Sequence, residues 1–242
     1  AGDERDGLTA RGREVGRRRS GGGPVRVAGG AFEREVTSVV FDAVMTPRPV
    51  TVLGAPLGYA DGAEHRIGSI LAGADDRSST SAELAGHIED WETRYHLDPR
   101  RVNLLRPIRI EPGSRVLDIG AGLGLLSRFL AERGAEVTAL EGAPDRIRAA
   151  AQRCAGMDNV ELIQGHLLDL AQQAPEPFDL VNVTGVLEYA ASNMGGAGGQ
   201  AAFLDQIRGL CAPDGALVLS IENQLGLKYL MGMPEDHLGR PW

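Results

Sequence analysis

The alternation of apolar strands with helices from Arg115 onward is the feature that most constrains the fold of this 242-residue chain. The strand candidates in this region are RVLDIG, EVTALE, VELIQG, FDLVNVTG and ALVLSIEN, with a helical or short connecting segment between each pair. Such units cross over right-handed and build a parallel sheet. The sequence therefore predicts an α/β fold with a doubly wound, mostly parallel sheet.

The stretch VLDIGAGLGLLSRFL, residues 116–130, predicts a buried strand, a glycine-rich turn and the start of a helix. Its turn contains Gly120, Ala121, Gly122 and Gly124. Glycine lets a backbone turn sharply and approach a ligand without a Cβ in the way. Ligands of such sheets bind at the carboxyl ends of the strands, so we expect a nucleotide-like cofactor at this turn.

The spacing of the glycines decides between two classes of cofactor. A dinucleotide fingerprint, G-x-G-x-x-G, would need its third glycine at Leu125 if it started from Gly120, or at Ser127 if it started from Gly122. Neither register fits, which disfavours an NAD-dependent enzyme. The chain instead has the pattern D-x-G-x-G-x-G, beginning at Asp118.

Four motifs in order resemble those of class I S-adenosylmethionine-dependent methyltransferases: VLDIGAGLG, VTALE, FDLVNVTGVLEY and LCAPDGALVLSIEN. The resemblance covers residues 115 to about 223. It implies a Rossmann-like methyltransferase sheet, an enzyme, and S-adenosylmethionine as the cofactor. The alternative is a non-catalytic module of the same fold that binds cofactor or partners within a larger protein.

The resemblance also implies a set of cofactor contacts. Asp118 would meet the methionine end of the cofactor, and Glu141 would accept hydrogen bonds from both ribose hydroxyls. The loop N–H groups and the following helix N-terminus suit the cofactor carboxylate. The alternative makes Asp118 a helix cap and Glu141 a surface acid. The expected cofactor-binding residues are Asp118, Gly120, Ala121, Gly122, Gly124, Glu141, Gly142, His166, Leu167, Asp169, Thr184 and Gly185.

The stretch IQGHLLDL departs from the family pattern, in which an acid soon after the third strand binds the adenine amino group. His166 follows the strand here, and Asp169 comes three residues later. We expect His166 to stack on or border the adenine and Asp169 to supply the acceptor. A half-exposed His166 on a loop is the alternative.

Two regions are candidates for the methyl-acceptor side. TGVLEYA, residues 184–190, follows the fourth of these strands, so Glu188 is a candidate catalytic base; a solvent-facing acid at a helix start is the alternative. The C-terminal stretch holds Glu235, Asp236 and His237. His237 is the second candidate base, and a solvated loop is the alternative.

A less specific resemblance bears on the acceptor. ENQLGLKY…PEDHLGRP, and DWETRYHLDPRRVNLLRP upstream, resemble segments of bacterial methyltransferase domains linked to glycosyltransferases of surface-polysaccharide assembly. This implies an O or N acceptor on a sugar or glycan intermediate and a covalently linked glycosyltransferase domain. Tyr95 and His96 would then form part of a lid over the cofactor, with a helix-terminal packing turn as the alternative.

Composition divides the chain into four regions. Residues 1–30 are rich in Gly, Arg and acids, which predicts a disordered lead or a linker. Residues 31–77 contain VTSVVFDAVM and PVTVLG, which allow two strands, or a helix and a strand. Residues 78–110 predict a helical prelude or lid, with Leu84, Ile88 and Trp91 at helical spacing. Residues 111–242 would be the methyltransferase domain, incomplete at its C-terminus and therefore a fragment.

Charge and hydropathy exclude several classes of protein. The net charge of -8 disfavours a nucleic-acid-coating protein. No apolar run reaches the ~18 residues that span a bilayer, and the N-terminus lacks the apolar core of a signal peptide. These features predict a cytoplasmic protein without a membrane span. The two cysteines show no metal-type spacing, so no metal site is expected.

Overall fold

The computed structural model of the chain describes residues 46–190, 199–221 and 225–233. The strands in these ranges are β1 (Val50–Val52), β2 (Arg115–Ile119), β3 (Glu136–Glu141), β4 (Val160–Gln164), β5 (Phe178–Thr184) and β6 (Cys211–Ser220). The helices are α1 (Glu64–Gly73), α2 (Ala82–Ala85), α3 (Trp91–Leu97), α4 (Leu125–Glu132), α5 (Pro144–Arg153), α6 (Leu167–Gln172), α7 (Gly199–Leu210) and α8 (Leu227–Leu230). Two 3₁₀ helices span Pro99–Leu104 and Leu187–Tyr189.

All of these strands belong to one parallel sheet, in the order β1-β4-β3-β2-β5-β6. The chain runs outward from β2 through β3 to β4, and then returns to the other side of β2 with β5. The order of the strands therefore reverses between β2 and β5, and the carboxyl ends of these two strands mark the topological switch point, where ligands of such sheets bind. The doubly wound parallel fold that the sequence predicted is confirmed.

Helices cover both faces of this sheet. Phe129 of α4 and Ile147 of α5 belong to the apolar core on one face. Leu170 of α6 and Phe203 of α7 belong to the core on the other. The two layers bury most residues of the central strands, which explains their largely apolar sequences.

The segment 31–77, whose apolar runs are compatible with either strands or a helix and a strand, contributes part of the sheet. Its PVTVLG run forms β1, which pairs with β4, and α1 packs against α5. The sheet thus begins well before residue 111, the expected start of the methyltransferase domain. The runs at residues 1–30 and VTSVVFDAVM lie outside the described residues.

The helical prelude consists of two separate helices, α2 and α3, although the spacing of Leu84, Ile88 and Trp91 predicted one continuous helix. Helix α2 ends at Ala85, followed by Gly86, and Asp90 starts α3 by accepting a hydrogen bond from the Thr93 N–H at 2.8 Å. Trp91 is consequently 58% exposed and does not join the apolar core with Leu84. Local capping overrides the apolar periodicity here. In the described part of the chain, no helix has the length and apolar character to cross a membrane.

Candidate functional site

A cavity of about 910 Å³ opens at the carboxyl ends of the strands, within the size range of small-molecule sites. It brings together most of the residues that the sequence predicted for the site. Those that line it are Asp118, Gly120, Ala121, Gly122, Glu141, Gly142, His166, Leu167, Asp169, Thr184, Gly185 and Glu188. Gly124 does not line it, and His237 lies outside the described residues together with Glu235 and Asp236.

Gly120 and Gly122 turn bare backbone towards the cavity. Their φ angles of 71° and 55° fall in the left-handed region that favours glycine. A Cβ on Gly120 would lie 2.3 Å from Cγ2 of Val186, whereas one on Gly122 would meet only the Gly120 oxygen, at 3.9 Å. The missing Cβ of Gly120 therefore lets Val186, in the loop after β5, pack against the glycine turn. The missing Cβ of Gly122 leaves open space for a ligand.

Gly124 occupies a packing position. Its φ is 80°, and a Cβ there would lie 3.0 Å from Cβ and 3.1 Å from Cα of Ala150 in α5. The glycine is the N-cap of α4 and lets that helix approach α5 closely. The sequence predicted a direct cofactor contact for Gly124; in the structure, close packing of α4 on α5 accounts for this glycine, which does not line the cavity.

Asp118 is held rigidly at the switch point and is only 2% exposed. Ser127 Oγ donates to Asp118 Oδ2 at 2.5 Å, and Asn182 Nδ2 donates to Asp118 Oδ1 at 2.7 Å. Burial raises the pKa of Asp118, against the opposing effect of these two donors. Each carboxylate oxygen retains a second lone pair, so Asp118 can still accept a hydrogen bond from within the cavity.

Glu141 at the end of β3 is 8% exposed, which rules out the surface-acid alternative. Its Oε2 accepts from the Gly122 N–H at 2.9 Å, and its Oε1 accepts from the Ala143 N–H at 2.8 Å. These two bonds fix the carboxylate beside the glycine loop. Its remaining lone pairs form a rigid bidentate acceptor on the cavity wall.

The loop after β4 forms another part of the wall. His166 is half-buried at the start of α6, and its backbone N–H donates to Asp169 Oδ2 at 2.9 Å. A Cβ on Gly54 would lie 2.0 Å from the same oxygen. The backbone at Gly54 therefore passes directly against the Asp169 carboxylate, a contact with no local sequence signal.

Residues 53–63, which we call the crossing segment, run over the carboxyl ends of β3 and β4. The Leu53 N–H donates to the Gln164 oxygen, and the Leu57 N–H donates to the Gly142 oxygen, both at 2.9 Å. The segment contributes residues 57, 58, 59 and 61 to the cavity wall. Sequence analysis assigned it no role.

An ionic network joins the crossing segment to α3 and α5. Asp61 Oδ2 lies 2.7 Å from His96 Nε2 and 2.7 Å from an Arg146 guanidinium nitrogen, and Glu64 Oε1 accepts from Arg146 Nε at 3.3 Å. Burial acts to raise the pKa of Asp61, but its hydrogen bonds and the Arg146 charge hold that pKa well below the usual range. Burial lowers the pKa of His96, despite its contact with Asp61.

One feature of the sequence, the position of Arg146, could have indicated this network. Arg146 stands in the first turn of α5, where the positive helix N-terminus disfavours a cation. Such a residue needs nearby acids, and Asp61 and Glu64 supply them from a distant part of the chain. His96, predicted as part of a lid, is 4% exposed within the network and also lines the cavity.

Arg101 is a second cation on the cavity wall that sequence analysis missed. Its Cζ lies 3.7 Å from the centroid of the Tyr95 ring, and its Nη1 donates to the backbone carbonyl oxygen of Tyr95. Among the described residues, no carboxylate comes within ion-pairing distance of this guanidinium. Arg101 therefore keeps donors with which an anion in the cavity can pair.

The loop after β5 meets α3 at the cavity wall. A Cβ on Gly185 would lie 3.5 Å from Tyr95 Oη and 3.8 Å from Glu188 Oε1. Glu188 is half-buried and lines the cavity, so it is not the solvent-facing acid of the alternative interpretation. Within residues 46–190, 199–221 and 225–233, no cluster of His, Cys, Asp or Glu could hold a metal ion.

Comparison with known proteins agrees with the loop motifs. Residues 117–217 match a family model described as a methyltransferase domain. This agrees with the enzyme class and the S-adenosylmethionine cofactor that the motifs predict. Among solved structures, the chain is similar to one described as the DhpI-SAM-HEP complex, with 26% identity and a TM-score of 0.41, over 58% of this chain and 60% of that chain.

Curated relatives share a narrower description. "Ubiquinone biosynthesis O-methyltransferase" of Xylella fastidiosa (strain 9a5c) is 31% identical over 65% of this chain and 64% of that protein. The protein of the same name from Xanthomonas campestris pv. campestris (strain B100) is 32% identical over 54% of this chain and 56% of that protein. The chain therefore spans less than two thirds of the length of these relatives.

Proposed function

We propose that this chain forms the cofactor-binding part of an S-adenosylmethionine-dependent O-methyltransferase. The observation that carries the proposal is the convergence, in one cavity at the switch point, of bare backbone at Gly122, the fixed carboxylate of Glu141 and the buried Asp118. The methyltransferase match over residues 117–217 supports the same class. The names of the curated relatives favour oxygen as the methylated atom.

The residues of the cavity fit S-adenosylmethionine. A cis-diol needs two acceptors in fixed geometry, which the two oxygens of Glu141 provide. A Cβ at Gly122 would point into open space, so an amino-acid group can lie against its backbone. When bound there, the cofactor supplies a methyl group on a sulfonium sulfur.

Arg101 and Asp118 suit the charged methionine end of the cofactor. The guanidinium of Arg101 can donate to its carboxylate, and Asp118 can accept from its ammonium group. Both side chains line the cavity. At the other end, His166 would border the adenine and Asp169 would accept from its amino group.

Glu188 is the candidate base for the acceptor hydroxyl. It stands beside Gly185 in the loop after β5, and its carboxylate can hold the proton that the hydroxyl releases. Positioning by the cavity walls would supply most of the remaining acceleration. The second candidate, His237, lies outside the described residues.

A sugar or glycan acceptor, a linked glycosyltransferase domain and a cytoplasmic location are further proposals. The first two rest on the resemblance of ENQLGLKY…PEDHLGRP, of which residues 222–224 and 234–241 lie outside the described ranges. The non-catalytic module remains the rival hypothesis. It predicts cofactor binding without methyl transfer to any acceptor.

Calorimetry with S-adenosylhomocysteine and with NAD tests the proposal. We expect saturable binding of S-adenosylhomocysteine and none of NAD. Glu141→Ala should weaken the binding at least about tenfold, since two charge-assisted hydrogen bonds of ~1.5 kcal/mol each are at stake. Glu136→Ala, at the exposed start of the same strand, is the matched control. Binding of NAD alone, or equal affinity in Glu141→Ala and wild type, would contradict the assignment.

A further inference from the structure

A chain of hydrogen bonds leads from the buried Asp118 to Thr184 on the cavity wall. Asp118 of β2 and Asn182 of β5 lie opposite each other in the sheet. Asn182 Nδ2 donates to Asp118 Oδ1 at 2.7 Å, and Thr184 Oγ1 donates to Asn182 Oδ1 at 3.0 Å. Asn182 is fully buried, whereas Thr184, at the end of β5, is half-buried and lines the cavity.

The charge of Asp118 sets the direction of each hydrogen bond in this chain. An ionised carboxylate only accepts hydrogen bonds, so the Asn182 amide turns its NH₂ group towards Asp118. The amide oxygen then faces Thr184, and since it carries no proton it can only accept from the threonine hydroxyl. Ser127 donates to the other oxygen of Asp118 at 2.5 Å, so both carboxylate oxygens have a protein donor.

The hydroxyl of Thr184 therefore offers a ligand acceptor lone pairs and no proton. A threonine hydroxyl in general rotates to serve as donor or acceptor. Here its proton is directed into the protein, towards Asn182. A carboxylate has no proton to give and cannot bond to such an oxygen, whereas an ammonium group can.

The methionine end of the cofactor carries both kinds of group, so this polarity has a consequence that rests on the proposed function. The ammonium group has three N–H donors, of which Asp118 can accept one. Thr184 ends the strand beside β2 and can accept another. The carboxylate is then turned towards Arg101, which lines the same cavity.

We propose that Thr184 accepts a hydrogen bond from the ammonium group of the cofactor, and that Asn182 is a positioning residue that keeps the Thr184 proton away from the ligand. The pair thereby selects ligands that carry an amine at this point. One competing interpretation is that Thr184 only packs the end of β5. Another is that a protonated Asp118 donates to Asn182, which would reverse the chain and turn the Thr184 proton towards the ligand.

Calorimetry on the full chain with three ligands tests the polarity of Thr184. The ligands are S-adenosylhomocysteine, its deamino analogue, which keeps the carboxylate, and its decarboxylated analogue, which keeps the ammonium group. Thr184→Val removes the hydroxyl at nearly constant shape. We expect it to weaken the two amine-bearing ligands about tenfold, the size of a hydrogen bond to a charged group, and to leave the affinity for the deamino analogue unchanged.

Two further variants control for shape and for general effects on the sheet. Thr184→Ser retains the hydroxyl and should restore most of the affinity for the amine-bearing ligands. Thr138→Val makes the same change at a half-buried position of β3 that does not line the cavity. It should leave all three affinities unchanged.

The positioning role of Asn182 is measured by the preference for the decarboxylated over the deamino analogue. Asn182→Leu should lower this preference at least about threefold, because the Thr184 hydroxyl is then able to turn its proton to the ligand. In the Thr184→Val background the same substitution should have no further effect on the preference. A purely structural role would weaken both analogues equally. If Asn182→Leu does not fold, the Thr184 variants still decide the proposal.

Three outcomes would overturn the inference: equal affinity of Thr184→Val and wild type for S-adenosylhomocysteine, equal losses for the two analogues, and a loss confined to the deamino analogue. The last would indicate the reversed chain. Each leaves the proposed function standing, because all three require that S-adenosylhomocysteine binds the wild-type chain. If none of the three ligands binds wild type, the proposed function is refuted and this inference with it.

Discussion

At the scale of single residues, three glycines within five positions have different tasks. Gly120 leaves room for the Val186 side chain, Gly122 faces the open cavity, and Gly124 lets α4 pack closely on Ala150. All three have positive φ, so the backbone conformation alone does not distinguish them. What distinguishes them is the atom that each missing Cβ would meet.

The pair Gly122→Ala and Gly124→Ala tests this division. Both substitutions incur backbone strain of ~1–2 kcal/mol from positive φ. Gly124→Ala should lower the unfolding free energy further, through contact with Ala150, and retain the affinity for S-adenosylhomocysteine. Gly122→Ala should weaken that affinity at least about tenfold, since its methyl group enters the ligand space. Urea unfolding and calorimetry measure the two effects, and the reverse ranking would contradict the assignment.

At the scale of elements, α3 depends on contacts from distant parts of the chain. The buried Arg153 of α5 donates to the His96 oxygen and to the Leu123 oxygen, both at 2.9 Å. Burial lowers the pKa of Arg153 to about 10, so the guanidinium is still charged near neutrality. One side chain thus ties α3 to the glycine loop, while Asp61 holds α3 to the crossing segment.

The burial of His96 predicts a pH dependence of stability. Its pKa is lowered from 6.5 in the folded state, so the unfolded chain binds more protons as the pH falls through 6.5. Stability should therefore decrease on acidification from pH ~7 to ~5, by at most ~1.4 kcal/mol per pH unit from this one group. The groups that face the ring are Asp61, Arg146, Arg101 and Tyr95.

Urea unfolding as a function of pH measures this dependence. His96→Gln should reduce the slope between pH ~5 and ~7, whatever its effect on stability at neutrality. His87→Gln replaces an exposed histidine and should leave the slope unchanged. A slope in His96→Gln equal to that of wild type would exclude His96 as its source.

At the scale of the whole molecule, the sheet is unevenly covered. Leu217, Leu219 and Ile221 share one face of β6 and its extension, with exposed fractions of 41%, 40% and 44%. Their neighbours across β5, Val181 and Val183, are fully buried beneath the helices of that face. Among the described residues, the covering layer therefore thins towards β6 and leaves contiguous apolar surface.

This surface predicts concentration-dependent self-association of the 242-residue chain. Leu219→Lys should shift the equilibrium towards monomer, because a charge on the apolar face is costly to bury. Ala216→Lys places the same charge on the opposite face of β6 and serves as the control. Sedimentation velocity at several concentrations measures the effect, and identical association of all three proteins would contradict the prediction.

The sequence by itself determined the alternation of β2 to β6 with helices, and with it the doubly wound sheet. It also determined the glycine turn, because strand periodicity, turn residues and the D-x-G-x-G-x-G spacing are local properties of the chain. The acids at strand ends followed from these, since parallel strands place their carboxyl ends at one edge. Asp118 and Glu141 could therefore be located before any contact was known.

Only the tertiary structure decided which distant segments complete the cavity. The partners of Arg146 come from residues 82 and 85 positions away, Asp169 meets Gly54, and Trp91 reaches the surface because Asp90 restarts the helix. No local pattern encodes such contacts, because they depend on how β1 and α3 pack against the finished sheet. Gly124 illustrates the same point, since the chain spacing that suggests a ligand contact is equally compatible with close helix packing.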